Sequence, residues 1–203
     1  MAYEWDIFIS YENDAQMGPW VVEHLAPFIR TFVGNAVGRP ISVFVDRERI
    51  HTGESWSAVL GHALATSRCM VAVWSPLYFS SEWCRREVAV IIYREQKYGF
   101  RTPKRPKGLL LPVSVFDGDS FPARAKAIQW RDLHKYWIAG AGFSATSRYV
   151  DFQDALKSMS ADVASSLALA PKWTKAWLTD EWLNVPASDF EPELQRFDFP
   201  DLD

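Results

Sequence analysis

The chain has 203 residues, 48% of them hydrophobic, and 25 acidic against 22 basic side chains give a formal net charge of −3. This length and composition fit one folded domain with an appendage and exclude a disordered chain, while the small net charge argues against nucleic acid as a partner. No apolar stretch approaches the roughly 20 residues needed to cross a bilayer, and no signal peptide is visible, so no membrane partner is expected. Cys69 and Cys84 lie in apolar contexts and are predicted to be reduced residues of a cytoplasmic protein.

Short β-rich runs alternate along the chain with segments of helical periodicity. The predicted strands are Trp5–Ser10, Ile41–Val45, Cys69–Trp74, Leu109–Val115 and Ile128–Trp130. Helices are predicted over residues 15–33, where Pro27 should kink or shorten the helix, from Ser55, from near Ser81, and over Tyr149–Leu169. This alternation predicts a flavodoxin-like three-layer sandwich, an α/β fold with a five-stranded parallel sheet. Ligands of such sheets bind at the carboxyl ends of the strands.

The helix that begins near Ser81 carries a candidate functional acid. At about 100° per residue, Trp83, Glu87 and Arg94 share a strip at the edge of the apolar stripe that faces the sheet. Glu87 is therefore predicted to be half-buried near the crevice, where a carboxylate beside an indole can stabilise a cationic sugar. The simpler interpretation is an amphipathic helix with an incidental glutamate and a core tryptophan, and the spacing alone favours it.

Three sequence boxes favour the functional interpretation of Glu87 over the simpler one. Trp5–Tyr11 resembles the first box of Toll/interleukin-1 receptor (TIR) domains. Phe44–Arg47 through Gly53–Ser55 resembles their second box and the loop after the second strand. Ser75–Glu87 resembles the end of their third strand and the tryptophan-x-x-x-glutamate motif of the NAD-cleaving members. The boxes occur in order and at matching spacing.

The resemblance implies a TIR domain over residues 1–170, of the bacterial NAD-cleaving immune effector type, followed by a Trp-rich acidic extension over residues 171–203. It implies that Glu87 is the catalytic residue of an NAD⁺ glycohydrolase or ADP-ribosyl cyclase that acts in antiphage-type defence. NAD⁺ is then the substrate, and neither a cofactor nor a metal is expected. The implied substrate-binding residues are Ser10, Tyr11, Asp46, Arg47, Trp56, Trp74, Ser75 and Trp83.

Cleavage of NAD⁺ at the nicotinamide needs only one catalytic carboxylate. Its nicotinamide is a pyridinium, which leaves as a neutral base without a general acid, while a cation develops on the ribose. Capture of that cation by water gives ADP-ribose, and capture by the adenine gives a cyclic product. The stacking partner for a base could be Tyr11, Trp56 or Trp83, and the sequence leaves the choice open.

Two functions without NAD⁺ cleavage are alternatives for such a chain. A non-catalytic TIR adaptor would assemble through the second-box loop, Asp46–Glu54, with Glu87 in a structural role. A receiver domain on the same sheet is disfavoured, because Glu12 and Asp14 are not adjacent and Arg131-Asp132-Leu133 follows the fifth strand in place of a lysine. The resemblance also implies homo-oligomers through TIR–TIR contacts, and a free-standing unit predicts a separate sensor or effector protein.

The extension holds Trp173, Trp177 and Trp182, which are predicted to lie on a short helix. These side chains could pack against the chain's own domain or form a docking strap for a partner. The acidic segment after Asp180 is predicted to face the basic loop Arg101–Lys107, with the residues after Asp189 held weakly.

Overall fold

A five-stranded parallel sheet organises the fold. Its strands in chain order are β1 (Trp5–Tyr11), β2 (Val43–Val45), β3 (Ser67–Trp74), β4 (Leu110–Ser114) and β5 (Arg131–Asp132). They lie in the order β2-β1-β3-β4-β5, and each neighbouring pair is parallel. This order confirms the predicted flavodoxin-like α/β fold. The structure is a computed structural model and describes residues 2–45, 56–138, 140 and 142–192, without the side chains of Trp56 and Ser57.

Helices cover the two faces of the sheet. They are α1 (Met17–Trp20), α2 (Ala26–Val37), α3 (Trp56–Ala65), α4 (Pro76–Ser80), α5 (Glu82–Lys97), α6 (Ala123–Lys126), α7 (Ser147–Leu169) and α8 (Asp180–Leu183). Helix α2 packs against α7, whereas α5 packs against α8. The central strand β3 is buried along nearly its whole length, as its continuous apolar sequence requires when helices lie on both sides. Among the described residues, no helix is long and apolar enough to cross a membrane.

Two predicted elements differ from the observed ones. The helix predicted over residues 15–33 is interrupted near Pro27, as expected for a residue without an N–H, but the interruption is a π-helical turn, Val21–Leu25, and the helix then continues to Val37. The fifth strand is not Ile128–Trp130 but the next two residues. The N–H of Ile128 donates to the carbonyl of Ala125 (2.9 Å) and closes the turn after α6. The apolar Ile128 therefore contributes to the core without joining the sheet.

The amino-terminal edge of the sheet contains a buried aspartate. Both carboxylate oxygens of Asp6 accept hydrogen bonds from the Arg39 guanidinium (2.7 and 2.8 Å), and one accepts from the Ser42 N–H (3.0 Å). The Nε of Arg68 lies 3.3 Å away. Burial alone would raise the pKa of Asp6, but these hydrogen bonds and positive charges outweigh it and hold the pKa below the ordinary value of 3.8.

We expect Asp6→Asn to destabilise the protein mainly above pH 4. Because the folded-state pKa of Asp6 is below 3.8, its stabilisation is present above that pH and is lost as the pH falls through the lowered value. The loss at neutral pH should be about 1.5–3 kcal/mol, as for a hydrogen bond to a charged group. Urea unfolding at pH 7 and at pH 3 measures it, with the exposed Asp154→Asn as control. An equal difference from wild type at both pH values would contradict the assignment.

A buried arginine connects α5 to the rest of the molecule. Arg94 is 1% exposed, not at the edge of the apolar stripe as predicted. Its guanidinium donates to the carbonyls of Ser67 (2.8 Å) and Leu64 (3.2 Å), at the start of β3 and near the end of α3. Burial lowers the pKa of Arg94 to about 10. The ring of Trp177 lies 4.0 Å from the guanidinium carbon and covers it.

The extension therefore packs against the chain's own domain. Trp177 is 1% exposed and lies in the 3₁₀ helix Lys175–Leu178, while Trp182 in α8 contacts the ring of Tyr93 at 5.0 Å. The Nε1–H of Trp173 donates to the carbonyl of Ala65 (3.2 Å). The observed structure is two short helices rather than the single one predicted.

Two expectations about the end of the chain concern a segment that the structure describes only as far as residue 192. Phe190 is buried against the core, although the residues after Asp189 were predicted to be weakly held. The basic loop makes its ion pairs elsewhere: Arg101 pairs with Glu95 (2.5 Å), and the ammonium of Lys107 lies 3.6 Å from Asp162 of α7. Within the residues that the structure describes, no ion pair joins this loop to the extension. The acidic residues 193–203 lie outside the described residues.

We expect Trp177→Ala to lower the free energy of unfolding by about 3–5 kcal/mol, the usual effect of removing a buried large aromatic side chain. The loss should be at the upper end of that range, because Arg94 would lose its cover. The matched control is Trp83→Ala, in which the removed tryptophan is 46% exposed, and its effect should be less than half as large. Equal, small losses in chemical denaturation would mean that the extension contributes nothing to stability.

Candidate functional site

The candidate site lies where the strand order reverses, between the carboxyl ends of β1 and β3. Ser10 and Tyr11 end β1, and Trp74 ends β3. Ser75 then begins α4, where its hydroxyl accepts a hydrogen bond from the N–H of Tyr78 (3.1 Å). Crevices at such reversal points are the usual ligand sites of open α/β sheets.

A chain of hydroxyl groups orients the Glu87 carboxylate. The Ser10 hydroxyl donates to Oε2 of Glu87 (2.5 Å), and the oxygens of Ser10 and Tyr78 lie 2.6 Å apart. Since Ser10 has one proton and gives it to the carboxylate, Tyr78 must donate to Ser10. Burial raises the pKa of Tyr78 well above its ordinary value, and the nearby Glu87 charge raises it further, so the phenol keeps the proton that it donates.

Helix α5 delivers Glu87 to the edge of the core. It begins after Ser81, whose extended backbone starts the helix, and Cys84 and Val88 point into the core as the predicted stripe requires. Glu87 is half-buried, and Trp83, one turn earlier, is 46% exposed. Arg86 lies over the Trp83 ring at 5.5 Å and pairs with Glu82 at 2.6 Å. Burial and the Glu87 charge raise the pKa of the Cys84 thiol, which therefore stays neutral.

Glu87 borders a cavity of about 420 Å³ between α3, α5 and the extension. The walls are mostly apolar, with a few polar groups, which is the usual character of small-molecule sites. The residues that line it are Ala58, Leu60, Gly61, Leu64, Trp83, Arg86, Glu87, Val90, Asp180, Leu183 and Asn184. A carboxylate in such surroundings is less screened than in water and can stabilise a positive charge on a bound ligand.

The structure brings only part of the predicted site to this cavity. Glu87 and Trp83 line it, and Ser10 lies directly behind Glu87. Tyr11 and Ser75 are buried in the core. Asp46 and Arg47 of the second-box loop, and the side chain of Trp56 at the start of α3, lie outside the described residues.

Trp74 corrects one prediction. The family resemblance implied that it binds substrate, but its side chain is completely buried. Its ring packs against Phe79 (5.4 Å), Phe121 (6.0 Å) and Trp130 (6.2 Å), because strand alternation directs it into the layer of the core rather than into the crevice. Trp74 therefore supports the site from below and is not a ligand contact.

Several residues of the site were not predicted from the sequence. Tyr78 lies inside the third box, but no local pattern places its hydroxyl beside Ser10 of β1. Arg86 lines the cavity and was not among the predicted substrate-binding residues. Asp180, Leu183 and Asn184 reach the cavity only because Trp177 docks the extension, and no local pattern reports that contact. Within the described ranges, no three His, Cys, Asp or Glu side chains are grouped as a metal site requires.

The hydroxyl chain can be tested by a double-mutant cycle. We expect Ser10→Ala to destabilise the protein by about 1–3 kcal/mol, because it leaves the buried Tyr78 hydroxyl without an acceptor. Tyr78→Phe in the same molecule should recover part of that loss, with a coupling of about 0.5–3 kcal/mol. Strictly additive effects in urea denaturation would show that Ser10 and Tyr78 do not interact.

Comparisons with known proteins agree with this architecture. A family model described as TIR domain matches residues 7–164. Over 82 residues the chain is 30% identical to a probable 2′ cyclic ADP-D-ribose synthase, BdTIR, of Brachypodium distachyon. The aligned part is 40% of this chain and 37% of that protein, so the chain spans little more than a third of the length of this relative.

Two solved structures are also similar in part. The TIR domain of the Toll-related receptor TRR-2 of Hydra magnipapillata is 16% identical, with a TM-score of 0.46, over 74% of this chain and 98% of that chain. The TIR domains of the activated Roq1 resistosome, which directly recognises the pathogen effector XopQ, are 17% identical, with a TM-score of 0.40, over 82% of this chain and 96% of that chain.

The family match begins within β1 and ends within α7, so it includes all five strands and the helix that carries Glu87. It stops before Trp177 and α8. Because this match covers well over half of the chain, the chain belongs to the TIR domain family.

Proposed function

We propose that this TIR domain cleaves the nicotinamide–ribosyl bond of NAD⁺ and that Glu87 is its catalytic residue. The observation that carries the proposal is the position of the Glu87 carboxylate, which is held by Ser10 and borders a mostly apolar cavity. The resemblance of part of the chain to a probable cyclic ADP-ribose synthase supports the same chemistry.

The proposed reaction needs one well-placed negative charge. The bond between the ribose carbon and the pyridinium nitrogen breaks, and its electron pair neutralises the nicotinamide, which leaves without being protonated. The positive charge moves to the ribose, where the Glu87 carboxylate stabilises it. Water then adds to the ribose carbon and loses its proton to give ADP-ribose, or an adenine nitrogen adds to give a cyclic product.

Trp83 is the candidate stacking residue among the described aromatics. It lies one helical turn from Glu87, lines the same cavity and exposes nearly half of its surface. A flat nicotinamide can lie against such a ring, and stacking of aromatic rings adds about 0.5–1.5 kcal/mol to the burial of their surface. Tyr11 is buried, so it offers no comparable face to a ligand.

The setting of this activity is also a proposal. We place it in antiphage-type defence in the bacterial cytoplasm, with assembly through TIR–TIR contacts and a separate sensor or effector protein. The second-box loop that would join neighbouring copies includes residues 46–54, which lie outside the described residues.

We expect Glu87→Gln to reduce nicotinamide release from NAD⁺ at least about a hundredfold, the low end of the loss when one electrostatic stabiliser is removed. Glutamine keeps the size of the side chain and an oxygen that accepts from Ser10, so the fold should persist. Nicotinamide release is measured at several protein concentrations and with a crowding agent, so that an assembly requirement does not hide activity.

The matched control is Glu23→Gln, which removes an exposed negative charge from the helical segment before α2 and should leave turnover unchanged. Near-normal turnover by folded Glu87→Gln would contradict the catalytic role. If the wild type releases no nicotinamide under any of these conditions, and Glu87→Gln assembles like the wild type, the non-catalytic adaptor is the better description.

A further inference from the structure

The Glu87 cavity has a neighbour formed largely by the extension. This second cavity, of about 460 Å³, lies between the start of α5 and residues 184–191. Its residues from α5 are Glu82, Arg85 and Arg86, and its opposite wall includes Pro186, Ser188 and Glu191. Arg86 and Asn184 line both cavities, so they stand at the boundary between the two.

We propose that the two cavities together bind a dinucleotide, with the extension forming the outer half of the site and Arg86 binding the diphosphate between the two nucleosides. The proposal rests on the proposed NAD⁺ chemistry for the identity of the ligand. Arg86 lies within the TIR family match, which ends at residue 164, and the outer half of the site lies beyond it.

A dinucleotide is too large for the cavity beside Glu87 alone. About 420 Å³ is near the lower end of the roughly 300–1,000 Å³ of pockets for drug-sized ligands, and a dinucleotide exceeds a drug-sized ligand. The cavity beside Glu87 therefore holds one nucleoside portion of the ligand. The other nucleoside must lie outside it, and the adjoining cavity across Arg86 is of similar volume.

Two charged side chains of the cavities are suited to different parts of a dinucleotide. The Arg86 guanidinium has the planar set of donors that suits phosphate oxygens. It currently pairs with Glu82, but both side chains are well exposed, at 45% and 65%, and such surface pairs contribute little. A diphosphate can therefore replace Glu82 as the partner of Arg86. At the far wall, Glu191 is a hydrogen-bond acceptor, which suits the hydroxyls of a ribose and not a phosphate.

Buried residues anchor the extension at both ends of this wall. Trp177 anchors it over Arg94, and Phe190 is buried at the other end of the segment that lines the second cavity. Leu183 lies close to α3, where a Cβ built on Gly61 would be 3.5 Å from its Cδ1. Asn184 ends α8, with its N–H bonded to the carbonyl of Asp180 (2.8 Å), and its amide can donate and accept toward either cavity.

The test compares three probes by calorimetry, with NAD⁺ studied in the Glu87→Gln background to prevent turnover. The probes are NAD⁺, ADP-ribose and nicotinamide riboside, of which only the last lacks a diphosphate. We expect Arg86→Gln to weaken NAD⁺ and ADP-ribose at least about tenfold, and nicotinamide riboside less than about twofold. Arg148→Gln removes an exposed arginine at the start of α7 and is the control for net charge.

A second variant tests the extension itself. Ser188 is exposed and lines the second cavity, so Ser188→Trp should fill part of that cavity without disturbing the core. We expect it to weaken NAD⁺ and ADP-ribose but not nicotinamide riboside, and Ser144→Trp on another exposed surface is the control. Thermal unfolding of each variant confirms that it is folded.

The outcomes separate this proposal from the proposed function. If Arg86→Gln binds all three probes like its parent, or weakens all three equally, Arg86 does not bind the diphosphate and the proposal is wrong, whether or not the wild type cleaves NAD⁺. If Ser188→Trp changes none of the affinities, the outer half of the site does not lie on the extension. If the probes behave as expected and the wild type releases no nicotinamide, the dinucleotide site stands and the proposed cleavage is wrong.

Discussion

The burial of Arg94 is the constraint on which the rest of the site depends. A guanidinium at 1% exposure would be costly without partners, and here two backbone carbonyls and the face of Trp177 surround it. The carbonyls belong to Leu64 and Ser67, so Arg94 fixes α5 to the junction between α3 and β3. Glu87 stands two turns earlier on the same helix. The position of the carboxylate therefore depends on a contact made by the C-terminal extension.

A second constraint acts on Glu87 from the sheet. Ser10 at the end of β1 and Tyr78 after β3 are brought together by the reversal of strand order, and their hydroxyls point one after the other toward the carboxylate. This directs one carboxylate oxygen toward the hydroxyls of the sheet. The arrangement differs from an incidental surface glutamate, whose side chain would sample many rotamers and lose side-chain entropy on binding a ligand.

The parts of this structure that the sequence predicts are those that depend on local periodicity. Continuous apolar residues identify β3, and the spacing of Cys84 and Val88 places Glu87 at the edge of a buried stripe. Long-range contacts escape such patterns. Arg94 is a charged residue that the periodicity of α5 puts at the edge of the buried stripe, and its burial depends on contacts with Leu64, Ser67 and Trp177, which are distant in the sequence. The prediction that Trp74 binds substrate was wrong for a different reason. Trp74 is the last residue of β3, but the side chain of a residue at the end of a strand need not point toward the crevice.

The extension combines two roles that different residues perform. Trp177 and Phe190 are buried and fix the segment to the domain, whereas Asp180, Asn184 and Ser188 are exposed and line the cavities between those anchors. Because the anchors do not line either cavity, the cavity wall can change without loss of the packing that covers Arg94. Substitutions in that wall can change the shape of the cavity beside Glu87, while β1, α4 and α5 keep the carboxylate in one position.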